Sequence, residues 1–200
     1  MYTFFRNFLL LLCLYLATGH SIVFADMVPF VLPWNDDSST LVDISGWSDK
    51  PAGKNGFLYS NAAGELMSGE ERIRLWGVNV TAGACFPSHA DAEQIAARMA
   101  KFGINVIRFH HINAPWAGTD TLIDYTQGNS RSLGAVNLDK FDYFTHQLKE
   151  NGIYTNLNLL VSRQFYAGDG LPAEISQIGW KEGHTIGHFN DHHLDLQKEY

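Results

Sequence analysis

The chain has 200 residues with 46% hydrophobic and 13% aromatic side chains, which supports a packed core and excludes a disordered composition. Its formal charge of −7 and pI near 5.6 argue against nucleic acid or an anionic membrane as the main partner. The basic residues are scattered, with no basic stripe.

Residues 1–25 read as a secretory signal peptide. Arg6 gives a positive start, Phe8 to Ala17 is an unbroken apolar run, and Val23-Phe24-Ala25 suits cleavage before Asp26. The run is too short for a membrane span, which needs about 20 residues. Cys13 lacks the small preceding residue that a lipoprotein site wants. The expectation is a secreted protein with no membrane contact after cleavage, whose charge becomes −8 once Arg6 is removed. Cys85 is then the sole cysteine, so no internal disulfide is expected and Cys85 is read as a small packed residue.

Residues 26–56 are dense in Pro, Asp, Ser and Gly, with apolar anchors at Phe30, Trp34 and Trp47. They read as an irregular wrap over a domain spanning 57–200. Phe57 to Ser60, Glu65 to Met67 and Ile73 to Val80 read as short strands of a small antiparallel meander with Gly-containing turns. The last strand is apolar enough to enter a parallel sheet. Asn79-Val80-Thr81 matches a glycosylation sequon, but a buried strand end is expected there, so no glycan is assigned.

Ser88 to Gly103 is the clearest helix. Ser88 and Asp91 give a capping-box pattern; Ile95, Met99 and Phe102 mark one face with Ala92 and Ala96. Arg98 and Lys101 suit its negative end, and Gly103 stops it. The strand I-N-V-I-R-F-H-H at 104–111 follows at once, completing a βαβ unit. A long polar loop over 112–136 follows the strand's C-terminal end, a place that favours function. A second helix runs from Asn137, as cap, to Gly152, with Leu138, Phe141, Phe144 and Leu148 apolar. Ile153 to Val161 is the third strand, its odd positions against the helices. Residues 163–188 are loop-like, and a third helix begins at Asp191.

This order predicts an α/β fold with about three βα units behind a small β meander. Thr81 to Ser88 holds no G-x-G-x-x-G or P-loop, which disfavours a nucleotide-binding sheet and leaves the start of a (β/α)8 TIM barrel. Such a barrel takes about 250 residues. The expectation is therefore an N-terminal part whose three open-edged strands are not stable alone.

Arg108 and His110 share one strand face and would point into the lumen; Phe109 and His111 share the other. Arg108, His110 and His111 can position a hydroxyl-rich substrate and hold a carboxylate, with Asn158 as a supporting hydrogen-bonder. A structural Arg ion-paired beneath the site is the plainer alternative. His184, His188 and His192 recur every four residues with His193 next to them, but Gly183 and Gly187 disfavour a helix there and no H-E-x-x-H occurs. A solvated histidine-rich loop is expected, with no metal and no cofactor. Trp34, Trp47, Trp116 and Trp180 could stack on sugars, although packing in core or loop is the default reading.

R-L-W-G-V-N-V at 74–80, K-F-G-I-N-V-I-R-F-H-H at 101–111, the run from Leu138 to Leu159 and L-D-L-Q-K-E-Y at 194–200 together resemble the N-terminal part of clan A glycoside hydrolases, closest to the cellulase-like family 5 type. The resemblance covers roughly 55–200. It implies a retaining glycosidase on a poly- or oligosaccharide, using two glutamates about 5–5.5 Å apart. In that family these lie on the fourth and seventh strands, the first in an Asn-Glu motif, and no Asn-Glu occurs in this sequence. No catalytic residue is therefore assigned in this chain, and these 200 residues are expected to be inactive. The family's second-strand Arg matches Arg108, while Leu160 stands near where the family often has His. Asp169, Glu174 and Glu182 match no catalytic motif. A non-catalytic carbohydrate-binding protein or pseudoenzyme is the second expectation.

Overall fold

The computed structural model describes Met27, Pro29 and residues 31–199. Every helix and strand among the described residues lies within 34–199. The signal peptide assigned to 1–25 and the anchor Phe30 lie outside the described residues.

The fold is mixed α/β. Strands β1 (Tyr59–Ser60), β2 (Leu66–Ser68) and β3 (Glu71–Arg72) form a small antiparallel sheet. Strands β4 (Gly77–Thr81), β5 (Val106–His110) and β6 (Tyr154–Leu157) form a parallel sheet in that order. Helices α1 (His89–Lys101) and α2 (Ala135–Glu150) make the two crossovers.

The expected continuous strand over 73–80 forms only from Gly77. Ile73 bonds back to Leu66, and residues 73–76 belong to neither β3 nor β4. Asn105 holds this break, accepting from the Trp76 amide at 2.7 Å and donating to the Arg74 carbonyl at 2.8 Å. Gly77 fits because a Cβ there would stand 2.8 Å from the Val106 carbonyl oxygen.

α1 starts at Ser88, whose Oγ accepts from the Asp91 amide and donates to its carboxylate at 2.7 Å. α2 departs from expectation. It begins at Ala135, and Asn137 does not cap it. The Asn137 amide instead donates to the carbonyls of Thr119 and Thr121, tying the preceding loop to the helix.

Alternation on β5 builds the core. Ile107 and Phe109 are fully buried beneath Ala92, Ala96 and Ala100 of α1 and Phe141, Phe144 and Leu148 of α2. The Phe109 ring meets Phe141 at 4.8 Å and Phe144 at 5.8 Å, both edge-on. Cys85 packs beside them, fully buried, and burial pushes its thiol up to about 12.

Among residues 34–56, the segment around Ile44 to Ala52 bonds to the C-terminal ends of both crossover helices. Ile44 N–H donates to the Lys101 carbonyl and Ala52 N–H to that of Lys149, capping both helix ends. Gly103 and Gly152 take left-handed φ of 74° and 79°, and a Cβ on either would strike the wrap at Ile44 or Asp49. Lys101 is not a surface charge answering the helix dipole. Its side chain is 2% exposed and meets the Asp36 carboxylate at 2.6 Å. That bond, with a second from the Ser38 hydroxyl, holds the Asp36 carboxyl down to about 2.

The third strand, expected to reach Val161, ends at Leu157; Ile153 just before it is buried, but Leu157 and, beyond the strand, Leu159 are 45% and 46% exposed. They line a cavity of about 510 Å³ with Leu122, Leu133 and Arg163. The helix-side layer over β6 is therefore incomplete among the described residues. β4 and β6 are the outer strands of their sheet, and no barrel closes among the described residues.

Two outcomes check this arrangement. Phe144→Ala should lower stability in urea unfolding by about 3–5 kcal/mol, the range for emptying a buried aromatic site. Asp36→Asn should lower the thermal midpoint at neutral pH. Because the folded Asp36 carboxyl lies below its usual value, its contribution is present above about pH 4 and is lost as pH falls toward 2.

Candidate functional site at the end of the parallel sheet

The face of the sheet opposite the helices is polar. Asn79, Arg108 and Asn156 stand in one register row, and His110 stands beside Thr81 further along. Asn79 and Thr81 are exposed, which corrects the expected buried strand end.

Three of the four residues singled out from the sequence form one hydrogen-bonded chain. Arg108 Nε donates to Asn158 Oδ1 at 3.1 Å, and Asn158 Nδ2 lies 2.6 Å from His110 Nδ1. Arginine can only donate, so the Asn158 oxygen must face it. The Asn158 amide nitrogen then donates to His110 Nδ1. In the neutral imidazole this puts the ring proton on Nε2. Arg108 is exposed on the polar face of the sheet. Among the described residues it stands in no ion pair, and its hydrogen bond is to Asn158.

His111 completes the group from beyond the strand. Its φ is +57°, a left-handed conformation that costs a non-glycine residue roughly 1–2 kcal/mol. Ala82, just after β4, has φ +48°. Two adjacent strands thus end in strained residues that turn the chain at the same end of the sheet. The His111 ring lies 4.1 Å from His110, 5.4 Å from Trp116 and 5.9 Å from Trp180. Its Nδ1 is buried with no hydrogen-bond partner. Burial and the neighbouring His110 push its pKa down, favouring the neutral ring.

The loops after β5 and β6 are locked together by residues the sequence reading did not select. Asn113, fully buried, donates to the Leu159 carbonyl at 2.7 Å and accepts from Ser162. Tyr125 OH donates to the Asn113 carbonyl and accepts from the Gln164 amide. Arg163 is 1% exposed and donates to Ser130 Oγ and the Leu196 carbonyl. Asp169 is buried and accepts from the backbone amides of Ser130 and Tyr166. It is a structural acid. Most of these partners are far apart in sequence, so no local pattern announces them.

Trp116 is 55% exposed, Trp34 60% and Trp47 84%, so none of the three is a core residue. Trp180 is half-buried between His111 and His184. The histidine-rich segment is not a solvated loop throughout. His193 is fully buried on α4 (Asp191–Glu199), and His184 Nε2 is buried behind α3 (Trp180–Gly183). Among the described residues no group of three His, Cys, Asp or Glu side chains is placed to hold a metal ion. The hydrogen bonds linking Arg108, Asn158 and His110 involve no carboxylate.

The arrangement gathers a guanidinium, two imidazoles and two indole rings at one end of the sheet. Comparison with protein-family models, with curated proteins and with solved structures finds no match to this chain.

The tautomer assignment is open to measurement. Long-range ¹H–¹⁵N spectra at pH 8 should show His110 protonated on Nε2, and Asn158→Leu should populate both tautomers.

Proposed function

We propose that the chain is the N-terminal part of a secreted, retaining glycoside hydrolase-like (β/α)8 barrel, and that its polar strand ends form a sugar-binding wall. The observation that carries this is the chain from Arg108 through Asn158 to His110, flanked by His111, Trp116 and Trp180 at the C-terminal end of a parallel sheet. Active sites in such barrels lie at that end. Aromatic faces beside hydroxyl-matching donors suit a neutral poly- or oligosaccharide.

Two further features support a barrel. β4 and β6 keep unpaired outer edges among the described residues, and Leu157 and Leu159 lack a covering helix there. In this reading Arg108 holds a carboxylate supplied by strands beyond the three βα units described. The catalytic acids, two carboxylates about 5–5.5 Å apart, would come from the same place. The proposed reaction uses no nucleic acid, cofactor or metal.

A second reading is favoured by the lack of a carboxylate in the cluster: the chain binds carbohydrate without hydrolysing it. Both readings predict that this chain binds sugar without hydrolysing it, and one experiment tests what they share. The purified chain should release no phenolate from aryl glycosides, yet oligosaccharides should quench its Trp fluorescence. Trp180→Ala should weaken that binding roughly tenfold, about 1.4 kcal/mol. Sugar release would contradict the placement of the acids. Fluorescence unaltered by every oligosaccharide tried would contradict the sugar wall itself.

A further inference from the structure

Residues 163–199 fold around a small core of their own. Phe165, Leu171, Ile175 and Leu196 are buried together, with Ile178 and Ile186 against them. This unit reaches the candidate site through Trp180, which touches His111 on one side and His184 on the other. It is fastened to the preceding loop by Arg163 and Asp169 on Ser130 and by the Arg131–Glu199 ion pair at 2.8 Å.

Two imidazoles inside it have no use in the sugar wall. His193 is fully buried, 4.2 Å from the Phe165 ring, with Nε2 unpartnered. His184 Nε2 is likewise buried and unpartnered. Gln197 lies between them. Its amide nitrogen is 3.4 Å from the His184 carbonyl and 3.2 Å from His193 Nδ1. Donation to the carbonyl fixes which end of that amide faces His193, so Nδ1 must accept and the ring must be neutral. A protonated His193 would set donor against donor at Nδ1 and leave a charged N–H without an acceptor at Nε2.

We propose that residues 163–199 are a pH-sensitive cap on the site, seated while His184 and His193 are neutral and loosened when they take protons. The charges facing His193 add to the effect of its burial. Arg163, His184 and His192 all oppose a proton there, and Asp169 alone favours one. Burial, the largest influence on both rings, acts in the same direction. A histidine with a lowered pKa in the folded state contributes fully above its unfolded value near 6.5. That contribution is lost as pH falls below it. The cap therefore loosens toward mildly acidic pH and carries Trp180 away from His111. The gating rests on the sugar-wall reading only for its consequence. The loosening itself is independent of any ligand.

Hydrogen exchange followed by mass spectrometry on the full chain tests this at pH 7.5 and 5.0, corrected for intrinsic rates. Amides in 163–199 should lose at least tenfold in protection at pH 5.0, while those of β5 and α1 keep theirs. His193→Phe, which fits beside Phe165 without titrating, should reduce that loss, and adding His184→Gln should abolish it. If His193→Phe lacks a native near-ultraviolet spectrum at pH 7.5, His184→Gln alone carries the comparison and should halve the effect. Equal protection at both pH values overturns the proposal. So does loss spread over the whole chain, or loss unchanged in the variants. Sugar binding absent at every pH, with the cap still loosening, would instead remove the sugar wall and leave the gate.

Discussion

The alternation of side chains along β5 is the constraint on which the rest depends. Ile107 and Phe109 have nowhere to go but under α1 and α2, where both are fully buried. Each such burial contributes roughly 1.5–3 kcal/mol. A one-residue slip would expose both and drive Arg108 and His110 into the aromatic core. The register of β5 is therefore over-determined by packing. Arg108 and His110 are held on the opposite face without any interaction of their own having to hold them.

The geometry at the end of that strand has the same origin. A rigid strand delivers His110, and a strained residue, His111, turns the chain sharply away. The strain is tolerated because the residues after it are anchored: Ile112, Asn113 and Ala114 are all buried. Asn113 and Tyr125 then join the loop after β5 to the loop after β6, so Asn158 arrives at a fixed distance from both Arg108 and His110. The other end of the sheet is closed by the wrap and the meander, with Lys101 and Asp36 as the buried clasp. The two ends divide the work: one anchors, the other presents polar groups.

Much of this was legible in the sequence because it is local. The Ser88 cap, the Gly103 and Gly152 stops and the two-residue period of 106–110 each depend on near neighbours, and each appears as read. Arg108, His110 and Asn158 could be grouped from strand parity alone, and they do meet. The misreadings come from long-range partners. The strand over 73–80 breaks because Asn105 competes for its backbone. Asn137 is drawn off its capping role by two loop carbonyls. Lys101 reads as a dipole charge until Asp36 meets it, and His193 reads as solvated until it is buried with its ring against Phe165. Asn79 reads as buried because its strand is apolar, yet it lies on the polar face.

The central claim is that the strand-end cluster receives sugar. Backbone amide shifts recorded while a neutral oligosaccharide is titrated into the chain test it most directly. A sugar wall predicts saturable shifts concentrated at residues 108–111, 116, 158 and 180. Shifts confined to the wrap and meander, or no saturable shift with any oligosaccharide, would contradict it.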